Sequence, residues 1–195
     1  MKNFHNILKL LTWNNQSYPI GSYTFSSGLE HAIEENIVSS AKELECWLRD
    51  LLKFGNLQSD AILLVEAWRF KKNDRDDDII KLNNFAVSLN QSYEKYIENY
   101  EQGKAFIKIS KDSWNHKFEN EKLMFSIAYA CSAYQENISI ENTLISFLHA
   151  SLSNLLAAGI KLIPLGQTTG QKIQVRLNSY IDVEYKKILK KDINY

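Results

Sequence analysis

The scarcity of helix-breaking residues constrains the fold of this chain more than any other feature. Only two prolines, Pro19 and Pro164, and seven glycines occur among its 195 residues. Because both residue types interrupt helices, a chain this poor in them favours long, continuous helices. Apolar residues also recur at spacings of three and four, as they do in helices that bury one face. The sequence therefore predicts an all-α fold, a single-domain bundle of roughly eight to ten helices.

Length, charge and hydropathy narrow the classes of function. A chain of this length matches one domain and can bury a substantial core without disulfides or metals. Lys and Arg together number 23, as do Asp and Glu, so no surplus of positive charge is present to bind nucleic acid. No continuous apolar stretch of membrane-spanning length and no signal-peptide pattern occurs. We therefore expect a cytoplasmic protein that does not insert into a membrane.

Capping and turn signals predict where several helices lie. Ser40 and Glu43 form a capping box, and the helix that they begin should end at Phe54, before Gly55. Ser59 and Asp60 are predicted to cap the next helix, which would end near residue 72. Four further helices are predicted: from the acidic turn at 74–78 to about 98, from about 118 to 135, from 139 to 160, and from 164 onward.

Common signatures of catalysis and metal binding are absent from the sequence. It contains no glycine-rich phosphate loop and no Gly-x-Ser-x-Gly motif. The four histidines form no His-x-x-x-His or Glu-x-x-His pair, and Cys46 and Cys131 form no Cys-x-x-Cys pair. We predict no catalytic residue, no metal ligand and no cofactor. Two alternatives stay open: a small helical enzyme with a buried cofactor or small-molecule pocket, and a structural subunit of another assembly.

The segment 18–30 differs in composition from the helical remainder of the chain. Pro19 and Gly21 predict a tight turn, and serines and other small residues are frequent between that turn and Gly28. Glu30 lies near the start of a helix, where it could either face a partner or support that helix start. Both interpretations of Glu30 are open from the sequence.

The segment 162–171 is the second unusual stretch. Gly166 and Gly170 are four residues apart on a helix expected to begin near Pro164, so they would let another helix or chain approach closely. Gln167 and Gln171 form a polar stripe beside them. Tight packing within the chain is sufficient to explain the glycines, whereas the two amides are open to internal hydrogen bonding or to contact with a partner.

In these two segments the sequence resembles the UreF family of urease accessory proteins. Residues 18–30 are similar to the family pattern Phe-Pro-x-Gly followed by Gly-Leu-Glu, with tyrosine in place of phenylalanine. Residues 161–171 are similar to Arg-Leu-x-Pro-Leu-Gly-Gln-x-x-Gly-Gln, with Lys161 in place of arginine. The stretches 147–150 and 184–190 also resemble the family, although Lys187 and Lys190 replace arginines and lose the planar fork of that side chain.

The resemblance implies an all-helical, homodimeric protein without catalytic residues. It would act with a UreD/UreH-like protein and the GTPase UreG, coupling GTP hydrolysis to the delivery of nickel to the urease apoprotein. It also implies a UreF-like domain over 1–177, and a tail at 178–195 is predicted to become ordered on a partner. The candidate partner-binding residues are Tyr18, Pro19, Gly21, Gly28, Glu30, Lys161, Pro164, Gly166, Gln167, Gly170, Gln171, Tyr185 and Lys187.

Overall fold

The computed structural model describes residues 2–21, 28–191 and 193, which form nine α-helices and no β-strand. The helices are α1 (Lys2–Trp13), α2 (Leu29–Glu34), α3 (Ala41–Phe54), α4 (Asn56–Lys72), α5 (Asp76–Ser88), α6 (Tyr93–Trp114), α7 (Phe125–Gln135), α8 (Ile140–Leu162) and α9 (Gln167–Ile188). The prediction of an all-α fold is confirmed, and the helices within the described ranges fall in the predicted number.

Helix α8, like α4, contacts five of the other described helices. It packs against α2, α3, α4, α7 and α9. Leu144, Leu148, Leu152 and Leu156 recur every four residues and are buried, so one continuous face of α8 lies in the core. In the described part of the chain, α8 alone is long and apolar enough to cross a membrane by length and composition. The buried face of the same helix packs against five other helices.

The start of α3 confirms the predicted capping box. One detail differs, because the backbone N–H that the Glu43 carboxylate accepts belongs to Ser39 rather than to Ser40. The Ser40 hydroxyl accepts a hydrogen bond from the Glu43 backbone N–H at 3.3 Å, as expected. The Glu43 carboxylate accepts from the backbone N–H of Ser39 at 2.9 Å, and from the hydroxyls of Ser39 and Ser40 at 3.0 Å each. These hydrogen bonds, led by the Ser39 backbone N–H, lower the pKa of Glu43.

Three predicted helix boundaries are wrong. Helix α4 begins at Asn56, directly after Gly55, so Ser59 and Asp60 lie inside it and cap nothing. The predicted helix from the acidic turn to residue 98 is two helices, because Ser92 accepts the backbone N–H of Lys95 and starts α6. Residues 115–124 contain no helix, and α7 begins only at 125.

Gly103 lies in the middle of α6, in a region where the sequence showed no clear pattern. Its face of the helix touches the backbone of the segment that leads into α7. A Cβ atom at this position would lie 3.0 Å from the backbone nitrogen of Phe125 and closer still to the carbonyl oxygen of Leu123. The contact between α6 and this segment therefore requires a residue without a side chain.

Candidate functional site

The first motif segment is anchored by buried residues on either side of its exposed turn. Tyr18 is 8% exposed and packs on Phe106, with ring centroids 5.9 Å apart. Its hydroxyl has no hydrogen-bond partner within the described residues, and burial raises its pKa. Tyr18 therefore belongs to the core of the free chain, and a partner contact by Tyr18 stays a prediction. Pro19 and Gly21 are exposed, and Gly21 has a φ of 72°, which favours glycine.

The segment 22–27 lies outside the described residues, and the motif resumes at Gly28. Gly28 has a φ of 80° and open space around it, so its conformation rather than crowding calls for glycine. Leu29 is fully buried and holds the start of α2, which packs on α8. The next residue, Glu30, is exposed in the first turn of α2. It lines a cleft that is bordered by α4 and the start of α6, named here the Glu30 cleft.

The second motif segment forms the corner between α8 and α9. Helix α9 begins at Gln167, three residues later than predicted, and Gly166 is the residue before it. Gly166 is exposed with open space around it, so no described part of this chain packs closely on it, and the approach of a partner chain there stays a prediction. Gly170 is buried, and a Cβ there would lie inside contact distance of the Ile160 side chain. Close approach is therefore confirmed at Gly170, where α9 meets α8 of the same chain.

The two amides of this motif face solvent. Gln167 and Gln171 are both exposed, and neither side chain makes a hydrogen bond to another described residue. Lys161 and Pro164, from the turn between the helices, are also exposed. The internal hydrogen bonds considered from the sequence are thus not formed, and this corner presents polar groups to solvent. We name these residues with Gly166 the α8–α9 corner.

The last two candidate residues lie near the end of α9. Tyr185 is half-buried, and Lys187 is exposed with its ammonium 2.8 Å from the carboxylate of Glu184, which is 4% exposed. Arg69 of α4 donates hydrogen bonds to the carbonyl oxygens of Leu189, at 2.6 Å, and of Lys191, at 2.9 Å. A cation thereby holds two carbonyl groups of the residues that directly follow α9.

The predicted boundary at residue 177 coincides with no break in the structure. Helix α9 runs continuously through it to Ile188, because Ile181 and Ile188 continue the buried face that begins at Gly170. Partner-dependent ordering of this segment stays a prediction, and the observed packing favours the opposite result.

We expect hydrogen exchange to show protected amides at 178–188 in the isolated chain. In Arg69→Ala, the loss of two charge-assisted hydrogen bonds should lower the local opening free energy by about 2 kcal/mol, which corresponds to exchange that is roughly 30 times faster. Arg176→Ala is the matched control, because it removes a surface ion pair with Glu45 that contributes little. Unprotected amides at 178–188 in the parent would instead support the prediction that this segment becomes ordered only on a partner.

A cluster of three ionisable side chains lines the Glu30 cleft. The Lys95 ammonium lies 3.3 Å from the Glu98 carboxylate and 3.7 Å from that of Asp60. Burial raises the pKa of both carboxyl groups, and Lys95 offsets part of the rise. Sequence reasoning missed this cluster because Asp60 was assigned to a cap, and only the Lys95–Glu98 spacing of three hinted at a pair. Among the described residues, no three His, Cys, Asp or Glu side chains are grouped to hold a metal ion.

Comparison with known proteins connects the two motif segments to a family. The sequence model of UreF matches residues 38–178, which include α3 to α8 and the α8–α9 corner. The chain belongs to the UreF family. A protein of Rhodopseudomonas palustris strain TIE-1 called urease accessory protein UreF is 33% identical over 178 residues, or 88% of this chain and 74% of the relative. UreF proteins of Bradyrhizobium diazoefficiens and Granulibacter bethesdensis are 31% and 30% identical, each over 75% of its own length and over 90% and 88% of this chain.

Membership in the UreF family confirms the resemblance drawn from the two motifs. The relatives are named as accessory proteins rather than as enzymes. The matched residues begin after α2, so the first motif segment lies outside the family model. The α8–α9 corner is the part of the candidate site that lies within the matched range.

Proposed function

We propose that this chain is a urease accessory protein that docks with a UreD/UreH-like protein and the GTPase UreG. In that complex it couples GTP hydrolysis to the delivery of nickel to the urease apoprotein, and nickel is cargo rather than a resident cofactor. The observation that carries the proposal is the UreF match over 38–178. The chain has no turnover of its own under this proposal, in keeping with the names of its relatives.

The exposure of the α8–α9 corner supports a docking role. An amide side chain carries two N–H donors and one acceptor oxygen, and Gln167 and Gln171 leave these groups without a hydrogen-bond partner in the described residues. Solvent satisfies them in the free protein, and a partner backbone can replace that solvent at little cost. Gly166 and Pro164 beside them are short enough to let a partner chain come close to the amides.

We also propose that the protein acts as a homodimer in the cytoplasm. Support for an association surface comes from α1, whose exposed face carries Phe4, Ile7, Leu8 and Leu11. An apolar stripe of this kind on a monomer is often covered by another chain.

Reconstituted activation of urease tests the proposal. Apo-urease, nickel, GTP, a UreD-like protein and a UreG-like protein are mixed with and without this chain, and ureolytic activity is measured. We expect activation to depend on the chain and to stop when a non-hydrolysable GTP analogue replaces GTP. Full activation without the chain would contradict the proposal. Colour, bound metal or ligand-dependent melting of the purified protein would then favour the helical-enzyme alternative.

A further inference from the structure

The C-terminal end of α3 carries an exposed apolar groove that none of the described helices covers. Phe54, the last residue of α3, is 83% exposed, and Ile37, from the α2–α3 connection, is 61% exposed. The two side chains border a groove whose floor includes the half-buried Trp47 and Leu51. We name these four residues the Phe54 groove. Single exposed apolar residues are common, but two large ones beside half-buried neighbours form a patch suited to docking.

The rim of the Phe54 groove is acidic. Glu43 and Asp50 line it, and none of its described lining residues is Lys or Arg. Glu43 is held in place by the two serines before α3, and their hydrogen bonds favour its ionised form. Asp50 is 3.0 Å from the guanidinium of Arg49 but remains about half exposed, so its charge also reaches solvent.

The acidic character continues on the other side of Phe54, which also lines the Glu30 cleft. Four acidic side chains line that cleft, and the one lysine among its described lining residues contacts two of them, Asp60 and Glu98: the acidic residues are Glu30, Asp60, Glu94 and Glu98, and the lysine is Lys95. The chain as a whole has a net charge of zero, so this surplus is local. The Phe54 groove therefore has negative charge on both sides, and such a surface attracts a partner that combines apolar and positively charged side chains.

We propose that the Phe54 groove docks a positively charged amphipathic helix of a partner protein. An apolar side chain of that helix lies against Phe54 and Ile37, and its lysines or arginines face Glu43 on one side and Glu94 on the other. A helix fits because residues three and four apart share its apolar face, while the flanking positions carry charge. The inference names a surface for the docking role proposed above and rests on that role.

Synthetic helices test the groove without any urease protein. Two fluorescein-labelled peptides of about 18 residues share a leucine face, and one carries lysine where the other carries glutamate. Fluorescence anisotropy measures their binding to the full chain. We expect the lysine peptide to bind, with an affinity that falls as salt is raised, and the glutamate peptide not to bind.

Two variants connect that binding to the groove. Phe54→Ser should weaken binding of the lysine peptide about tenfold, because the ring supplies the central apolar contact. Val175→Ser is the matched control, since it removes another strongly exposed apolar side chain, on α9, that does not line the groove. The double variant Asp50→Asn/Glu94→Gln should weaken binding about threefold to tenfold and flatten its salt dependence.

Four results would overturn the proposal: no binding of the lysine peptide, equal binding of both peptides, equal losses in Phe54→Ser and Val175→Ser, or self-association that disappears in Phe54→Ser. The last would identify a second copy of this chain as the occupant. Because the measurement needs no urease component, failure of the groove leaves the activation experiment unaffected. Failure of activation with intact peptide binding would count against the proposed function alone.

Discussion

Gly103→Ala is expected to destabilise the fold by about 3 kcal/mol, which would lower the Tm by roughly 6–12 °C. Alanine favours helix formation over glycine by about 1 kcal/mol, so local propensity acts in the opposite direction. The clash wins because the added Cβ meets the backbone of 123–125, which cannot rotate away as a side chain can. Chemical denaturation followed by circular dichroism measures the free energy of unfolding.

Gly166→Ala is the matched control for Gly103→Ala. It adds the same methyl group at an exposed position with open space around it, where the backbone already has φ −65° and ψ 145°. The loss in free energy of unfolding should stay below about 1 kcal/mol. Glycine and alanine both lack a side-chain oxygen that could cap the helix, so the exchange removes no capping hydrogen bond. A stability of Gly103→Ala equal to that of Gly166→Ala would show that α6 can move away from the 123–125 segment at little cost.

The double variant Gln167→Ala/Gln171→Ala is expected to fold like the parent and to reduce activation of urease at least about tenfold. Folding should survive because both side chains are exposed and hold no hydrogen bond to another described residue. Activation should fall because a partner that has replaced the solvent around the two amides would lose up to two hydrogen bonds at once. The measurement is the reconstituted assay with nickel, GTP and apo-urease, after melting curves have been matched.

Gln16→Ala serves as the control for these amides. It removes an exposed glutamine from the connection after α1, outside both motif segments. Parent-like activation by the double variant would remove the α8–α9 corner from the docking surface. A loss of activation that is matched by a loss of helicity would instead show that the amides support the fold.

The parts of the fold that were predicted from the sequence depend on neighbouring residues. The Ser40 cap and the end of α3 at Phe54 were found because a cap and its partners lie within four residues. The break between α5 and α6 was missed, although Ser92 caps α6 in the same way, because Leu89 and Tyr93 continued an apolar pattern across it. Helix boundaries are therefore predicted correctly where the capping residues and the apolar periodicity agree. They are predicted wrongly where the apolar periodicity continues past a capping residue.

Contacts between distant segments decided the features that the sequence did not predict. Position 103 requires glycine because the backbone of 123–125 lies against it. No periodic pattern in the sequence connects these two positions. Asp60 faces Lys95 across two helices, so its role could not be read from its neighbours in α4. The composition of the α8–α9 corner was visible in the sequence. Its exposure was not, because a glutamine at that spacing can equally face the core or solvent.

The unbroken course of α9 fixes how far apart its two candidate contact regions are. At 1.5 Å per residue, its 22 residues span about 33 Å from Gln167 to Ile188. The side chains of Gln167 and Lys187 are therefore held at opposite ends of a rigid rod. A typical interface covers a patch of roughly 30 Å across on each protein, so a partner centred on one end of the helix reaches only to about its middle. Two partners can accordingly occupy the ends at the same time without overlapping, and a single partner that reaches both must lie along the whole helix.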